Sequence, residues 1–244
     1  MTDPLFLADP GDIAAARPGS TITVGGDEGR HAATVRRLRV GESVMLADGA
    51  GCGVRGTVTA VGKSTIEVRT AELLRAPADP LEIVAVQALA KGARSDIAIE
   101  AMTEMGVGRI VAWQAARSIV RWDAKAARGL AKWRTSATNA AKQSRRLRVP
   151  RIELADTGQV AGLLAGADLA LVLHEEAAQP LRALPVPASG RVVMVIGPEG
   201  GIAPAELEAF TRAGAATVLV SDAVLRTSTA GVVALAQLRA LAGR

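Results

Sequence analysis

The chain has 244 residues, enough for one large domain or two modest ones with buried cores. Hydrophobic residues make up 49% and aromatics only 2%, so the core is aliphatic and a sheet that binds bases by stacking on several exposed aromatics is excluded. One cysteine (Cys52) and two histidines (His31, His174) exclude a disulfide framework and a Cys/His zinc site, so no metal is expected, and the net charge of +5 is one that an Ala- and Arg-rich composition can produce by itself, so its distribution tells more than its total.

The amino terminus, MTDPLFLADPGD, carries acids where a signal peptide carries basic residues, and no apolar run reaches the roughly eighteen residues of a membrane helix. A soluble, cytoplasmic protein with no membrane partner is expected. Residues 1–74 read mostly as β, with short runs at Leu5–Leu7, Ser20–Val24, Ser43–Ala47, Val54–Ala60 and Ser64–Thr70. Gly-rich turns separate them and one helix, about Glu28–Arg39, interrupts them, which is the pattern of a small barrel. Gly51-Cys-Gly-Val-Arg-Gly56 spells G-x-G-x-x-G, but it lies between β-type runs with no helix after it and reads as turn chemistry. Arg75–Pro80 holds two prolines in six residues and reads as a linker to a second domain over 81–244.

Beyond the linker, strands and helices alternate. Leu81–Ala88 and Arg109–Trp113 are apolar strands, and Ile97, Ala98, Ala101, Met102 and Met105 share one helix face between them. From Ala124 to Lys142, Ala126, Leu130, Trp133, Ala137 and Ala140 recur at helical spacing, with Lys125, Arg128, Lys132, Thr135, Asn139 and Lys142 on the opposite face. Ten basic residues and one acid stand between Arg121 and Arg151, so this stretch carries +9 and the remainder sums to −4. Such a local excess is the footprint of a nucleic-acid-binding face, or more plainly of a solvated helix surface. Asp168–Leu173, Arg191–Ile196 and Ala216–Val220 are aliphatic on both faces, as buried parallel strands are. Ligands bind at the carboxyl ends of such strands, which nominates the segments beginning at His174, Gly197 and Ser221.

The strongest local signal is Val195-Ile-Gly-Pro-Glu-Gly-Gly-Ile-Ala-Pro204: a strand, a glycine turn and a helix with proline in its first turn. Its glycines let backbone approach a ligand, although an ordinary strand-to-helix turn has the same look. No Gly-Lys-Ser/Thr follows, so it is not a P-loop. His174-Glu175-Glu176-Ala-Ala178 begins like a zinc-protease helix but has alanine in the place of the second histidine. Cys52 has no neighbouring base and reads as a packed or turn thiol. Leu225-Arg226-Thr-Ser-Thr-Ala230 opens a long apolar helix, and Arg226 there is placed to pair with an acceptor oxygen.

Val-Ile-Gly-Pro-Glu-Gly-Gly (195–201) together with Val-Leu-Arg-Thr-Ser-Thr-Ala (224–230) resembles the SPOUT-class RNA methyltransferases, and within them the ribosomal RNA small subunit methyltransferase E family. His31–Gly41 and Leu46-Ala-Asp-Gly49 are similar to that family's PUA-like barrel. Lys91-Gly92, Thr103–Val107, Arg117-Ser118, Gln143-Ser144, Arg146 and Val149-Pro150 are similar to its middle. The chain departs from the family pattern at Ser228, where glutamate is usual, at Lys142, Arg145 and Ala203, and at Ser221-Asp222-Ala223.

The resemblance implies an α/β fold: a PUA-like β-barrel followed by a SPOUT domain with a carboxy-terminal trefoil knot, assembled as a homodimer. It further implies S-adenosylmethionine as cofactor and methylation of N3 of a uridine in 16S rRNA, on the small ribosomal subunit. Carried onto this sequence, Arg226 and Glu199 are the candidate catalytic residues. Leu173, His174, Glu175, Gly197, Pro198, Glu199, Gly200, Gly201, Leu219, Ser221, Leu225 and Thr227 are the candidate cofactor-binding residues. Arg36, Arg37, Arg39, Lys91, Arg94, Arg117, Lys125, Arg128, Lys132, Arg145, Arg146 and Arg148 are the candidate RNA contacts. A non-catalytic RNA-binding or ribosome-assembly protein of the same fold is the alternative, and a small-molecule enzyme using the glycine loop is a third reading that the basic stripe disfavours.

Overall fold

The structure, a computed structural model, describes residues 3–243. In its amino-terminal part, runs that alternate apolar and polar residues form strands with the apolar side inward. In chain order the elements are β1 (Leu5–Leu7), α1 (Pro10–Ala15), β2 (Thr21–Val24), α2 (Gly26–Arg30), β3 (Ser43–Ala47), β4 (Cys52–Val61) and β5 (Ile66–Arg75). They form one sheet in the order β1-β3-β4-β5-β2, antiparallel except where β1 runs alongside β3. Its core is Phe6, Ile22, Val44, Leu46, Val54, Val58, Ile66 and Val68, closed by Ile13, Ala32 and Leu38.

Two details differ from the sequence expectation. The ladder stays open with β1 and β2 as its edges, a half-barrel; at one edge the Glu28 carboxylate accepts the Leu7 N–H at 3.1 Å. The expected helix over Glu28–Arg39 is α2 followed by a π turn, His31–Val35, and Arg37 in the left-handed region (φ 53°) ends it. The glycine-rich run lies at the start of β4. A Cβ at Gly56 would stand 2.4 Å from the Arg69 carbonyl oxygen, so glycine is there for strand approach.

The second part continues with β6 (Leu81–Ala88), α3 (Arg94–Glu104), β7 (Arg109–Trp113), α4 (Ala126–Gln143), β8 (Arg151–Ala155) and α5 (Thr157–Ala165). It ends with β9 (Leu169–Leu173), β10 (Gly190–Ile196), α6 (Pro204–Arg212), β11 (Ala216–Val218) and α7 (Ala230–Leu241). The six strands make an all-parallel sheet in the order β11-β9-β10-β6-β7-β8. Val84, Val86 and Ala88 of β6 belong to the core cluster that also holds Trp113, Val160, Leu164 and Phe210. The alternate residues, Ile83, Ala85 and Gln87, are buried on the other face, where α3 and α7 pack.

The chain forms two compact units. One runs through Ala78 and takes in Thr138–Val149; the other comprises Asp79–Ala137 and the chain from Pro150 onward. A division along the sequence at 75–80 alone misses the returning segment. Within the first unit that segment is held by long-range bonds: Lys142 pairs with Glu28 at 2.6 Å, Gly51 N–H donates to Leu147 O, and Val149 N–H donates to Gly49 O. Leu147 is buried with Leu5 and Ala47. Lys142 therefore leaves the outward stripe expected of α4; its side chain is only 9% exposed and its ammonium lies 6.0 Å from the Phe6 ring centre. The other stripe members, Lys125, Arg128, Lys132, Thr135 and Asn139, are exposed.

Candidate active site

Sheet order places a crevice where β10 returns beside β6, and the loops leaving β9, β10 and β11 meet at its carboxyl end. Short backbone bonds join them. His174 N–H donates to Val218 O, Leu219 N–H to Gln179 O, and Leu181 N–H to Leu219 O. Gly201 sits at φ +72°, a conformation that side chains rarely adopt, and its N–H closes the glycine loop on Pro198 O at 2.9 Å.

These loops enclose a cavity of about 260 Å³. Leu173, His174, Glu175, Gly197, Pro198, Glu199, Gly201, Leu225, Arg226 and Thr227 line it, all of them singled out from the sequence, and Arg94 joins them. Gly200, Leu219 and Ser221 stand beside it, outside its lining. Arg117 donates to the Gly200 carbonyl at 3.3 Å, and the Ser221 hydroxyl accepts Ala223 N–H. Ile196, Ile202, Val224 and Ala230 also line the cavity and carry no chemical signature by which sequence reading finds them.

Charge at the cavity is organised by one pair. The Arg94 guanidinium meets the Glu199 carboxylate at 2.9 Å, and Lys91 N–H points to the same oxygen at 3.4 Å. Burial alone would raise the Glu199 carboxyl, but the Arg94 bond, the Glu199 and Lys91 backbone N–H groups and the Arg94 charge outweigh it and hold the pKa below the ordinary value. Arg226 lines the cavity with an exposed side chain, while its carbonyl accepts Thr229 and Ala230 N–H at 2.9 Å each and so starts α7.

Behind the cavity lie two buried polar groups absent from the sequence reading. Glu206, 6% exposed, accepts Ala116 N–H, the Thr157 hydroxyl and Ala203 N–H, the last being the N3 half of a capping box whose other half alanine at 203 cannot supply. Gln87, fully buried, donates from Nε2 to the Thr227 carbonyl and hydroxyl oxygens and to Ala88 O. Its Oε1 has no hydrogen-bond partner among the described residues, a burial that costs about 1–3 kcal/mol. A single amide in an otherwise apolar strand interior is the sequence signal that would have found it.

The candidate RNA contacts fall into two sets. Lys91, Arg94, Arg117, Lys125, Arg128 and Lys132 belong to the second unit, and Lys132 pairs with Asp96 at 2.7 Å. Arg36, Arg37, Arg39, Arg145, Arg146 and Arg148 belong to the first. All are exposed except Arg94 and Arg146, which are partly buried. Among the described residues no cluster of His, Cys, Asp and Glu is arranged to hold a metal, and no helix is long and apolar enough to cross a membrane.

Comparison with known proteins gives a consistent result. A family model described as an RNA methyltransferase domain matches residues 77–239, and one described as an RNA methyltransferase PUA domain matches 24–71. Ribosomal RNA small subunit methyltransferase E of Mycobacterium bovis is 43% identical over 232 residues, 93% of this chain and 88% of that protein. The protein of the same name from Bacillus subtilis is 28% identical over 225 residues, 88% of each chain. The crystal structure of a ribosomal RNA small subunit methyltransferase E from Neisseria gonorrhoeae, bound to S-adenosyl methionine, superposes with a TM-score of 0.88 at 27% identity over 98% of both chains.

Proposed function

The chain belongs to the RNA methyltransferase family, with its methyltransferase and PUA domains both present, and on that premise we propose that it methylates N3 of a uridine in 16S rRNA using S-adenosylmethionine. The observation that carries this reading is the single cavity wall on which Arg226, Glu199 and the glycine loop come together. The residues present fit the cofactor. Leu173, Ile196, Ile202 and Leu225 offer apolar contact, the Gly197–Gly201 backbone gives close approach, and Glu175 and Glu199 supply negative charge for a cation. When bound, S-adenosylmethionine supplies an electrophilic methyl group carried on a sulfonium.

The protein's own part is to present N3 of the base and manage its proton. Arg226, exposed at the cavity wall, stabilises the negative charge that develops on a uracil oxygen as the N3 proton passes to solvent water. Glu199, kept ionised by Arg94, accepts a hydrogen bond from the base; a carboxylate with a lowered pKa orients better than it abstracts. Arg94 and Lys91 at the mouth, and the α4 stripe farther out, hold phosphates.

The same proposal includes the trefoil knot and the homodimer, a cytoplasmic setting, and a role in maturation of the small ribosomal subunit. The interleaving of the β9 and β11 loops through the Pro180–Leu219 bridge, with α7 packed on α3, β6 and β10, supports the knot. Ser228, buried where the family usually has glutamate, keeps the non-catalytic alternative distinct, and one assay separates the two. Labelled methyl incorporation is measured into assembled small subunits and into naked 16S rRNA, with the product nucleoside identified. N3-methyluridine is the expected product, and Arg226→Ala should lower the single-turnover rate at saturating cofactor by about 10²–10³. A near-normal rate in that variant removes the Arg226 role, and no methylation of either substrate removes the enzymatic reading.

A further inference from the structure

Thr227 is 6% exposed and its hydroxyl joins two strands' ends: it donates to Gly197 O at 2.7 Å and accepts from Gln87 Nε2 at 3.0 Å. A hydroxyl has one proton, so with that proton on Gly197 O it can only accept from Gln87. The Gln87 amide is thereby fixed in one orientation. Turned over, it would set its oxygen against the Thr227 and Ala88 carbonyls, and it is held instead with Nε2 on both, although Oε1 is then left without a donor. The arrangement ties three places: the end of β6, the first residue of the glycine loop, and the residue after Arg226. The Arg226 carbonyl, in the peptide bond to Thr227, receives the Thr229 and Ala230 N–H groups where α7 begins.

We propose that Gln87 and Thr227 form a buried latch that sets the position of Arg226 against the glycine loop, making both of them positioning residues for methyl transfer. The inference rests on the reading of Arg226 given above. Gln87 is fully buried and does not line the cavity, so its loss should act on the rate and leave cofactor affinity nearly intact, whereas Thr227 does line the cavity and is read by rate and exchange.

The test uses the full chain with Thr227→Val, which keeps the shape and removes the hydroxyl, Thr227→Ser, which restores it, Gln87→Leu, and the double variant Gln87→Leu/Thr227→Val. Three quantities are read: the single-turnover methylation rate at saturating S-adenosylmethionine, the dissociation constant for S-adenosylmethionine by calorimetry, and hydrogen exchange at the Thr229 and Ala230 amides. Thr227→Val and Gln87→Leu should each lower the rate at least tenfold, and Gln87→Leu should keep the dissociation constant within threefold. Thr227→Ser should return the rate to within threefold of the parent, and the double variant should be no slower than the worse single. Exchange at Thr229 and Ala230 should quicken in the Val and Leu variants alone. A Thr227→Val protein at parental rate, a rate loss in Gln87→Leu matched by lost cofactor affinity, or single effects that multiply in the double variant each overturn the latch. Failure of the parent to bind cofactor or transfer methyl strikes the functional reading instead. The exchange measurement then decides the latch by itself, unchanged protection in Thr227→Val refuting it.

Discussion

Glu199 stands between opposing influences, burial raising its carboxyl and the Arg94 guanidinium with the Glu199 and Lys91 N–H groups lowering it, and the second set wins. The folded pKa lies below the unfolded one, so the stability this group contributes is present above the ordinary carboxylate pKa and is lost as pH falls through the depressed folded value. Arg94→Gln removes the Arg94 hydrogen bond and charge and so weakens the opposition to burial, leaving the two backbone N–H groups. The acid limb of the methylation rate should move to higher pH in that variant, and Glu199→Gln should abolish the limb; a limb that stays put shows that another group governs it. The loops that carry Arg226 and Glu199 were legible from residue types and spacing, because they leave apolar strands; the two residues as catalytic candidates came from the family resemblance. Gln87 stands out only as an amide in an apolar strand; its partner was not legible, because a strand's pattern says which face is buried and not what an amide on that face will meet 140 positions later.

At the scale of elements, α4 shows how far periodicity reaches. The spacing of Trp133, Ala137 and Ala140 predicted the buried face, and all three are buried, with Trp122 set edge-on to Trp133 at 5.1 Å. It did not predict that Gly129 exists to admit the Trp122 ring, whose nearest atom would stand 2.4 Å from a Cβ there. On an exposed helix interior, Gly→Ala stabilises by about 1 kcal/mol. Here the added methyl meets a rigid ring backed by Trp133, and overpacking costs about 1–3 kcal/mol. Gly129→Ala is therefore expected to lower stability in urea unfolding, and adding Trp122→Ala should recover the helix gain. A rise in the single variant would show that the ring moves aside freely. β8 escaped the sequence reading for a related reason: at an edge of the sheet only its Ile152 and Ala155 are buried, and it offers no continuous apolar run.

The whole molecule turns a sequence charge into two different things. The +9 between Arg121 and Arg151 reads as one surface, yet the structure assigns its last third to another unit and spends several of its cations internally. Lys142 is held against Glu28 with its side chain 9% exposed, and Arg148 and Arg134, although exposed, donate to the Ala50 and Ile152 carbonyls, whereas Lys125 and Arg128 stand exposed at the start of α4. Local spacing could not show this, since the partners of 142 and 148 lie about a hundred positions away. The two classes should separate in binding experiments. Each phosphate contact to single-stranded RNA adds roughly 0.7 to the slope of log affinity against log salt. Lys125→Glu/Arg128→Glu should weaken RNA binding and flatten that slope by more than one, with thermal stability nearly unchanged. Lys142→Met leaves Glu28 without its cation partner, so it should lower stability, and the salt slope should hold. Equal effects of the two changes on the slope would mean that RNA reads the stretch as a continuous surface, and the internal pairing of Lys142 would then have no bearing on binding.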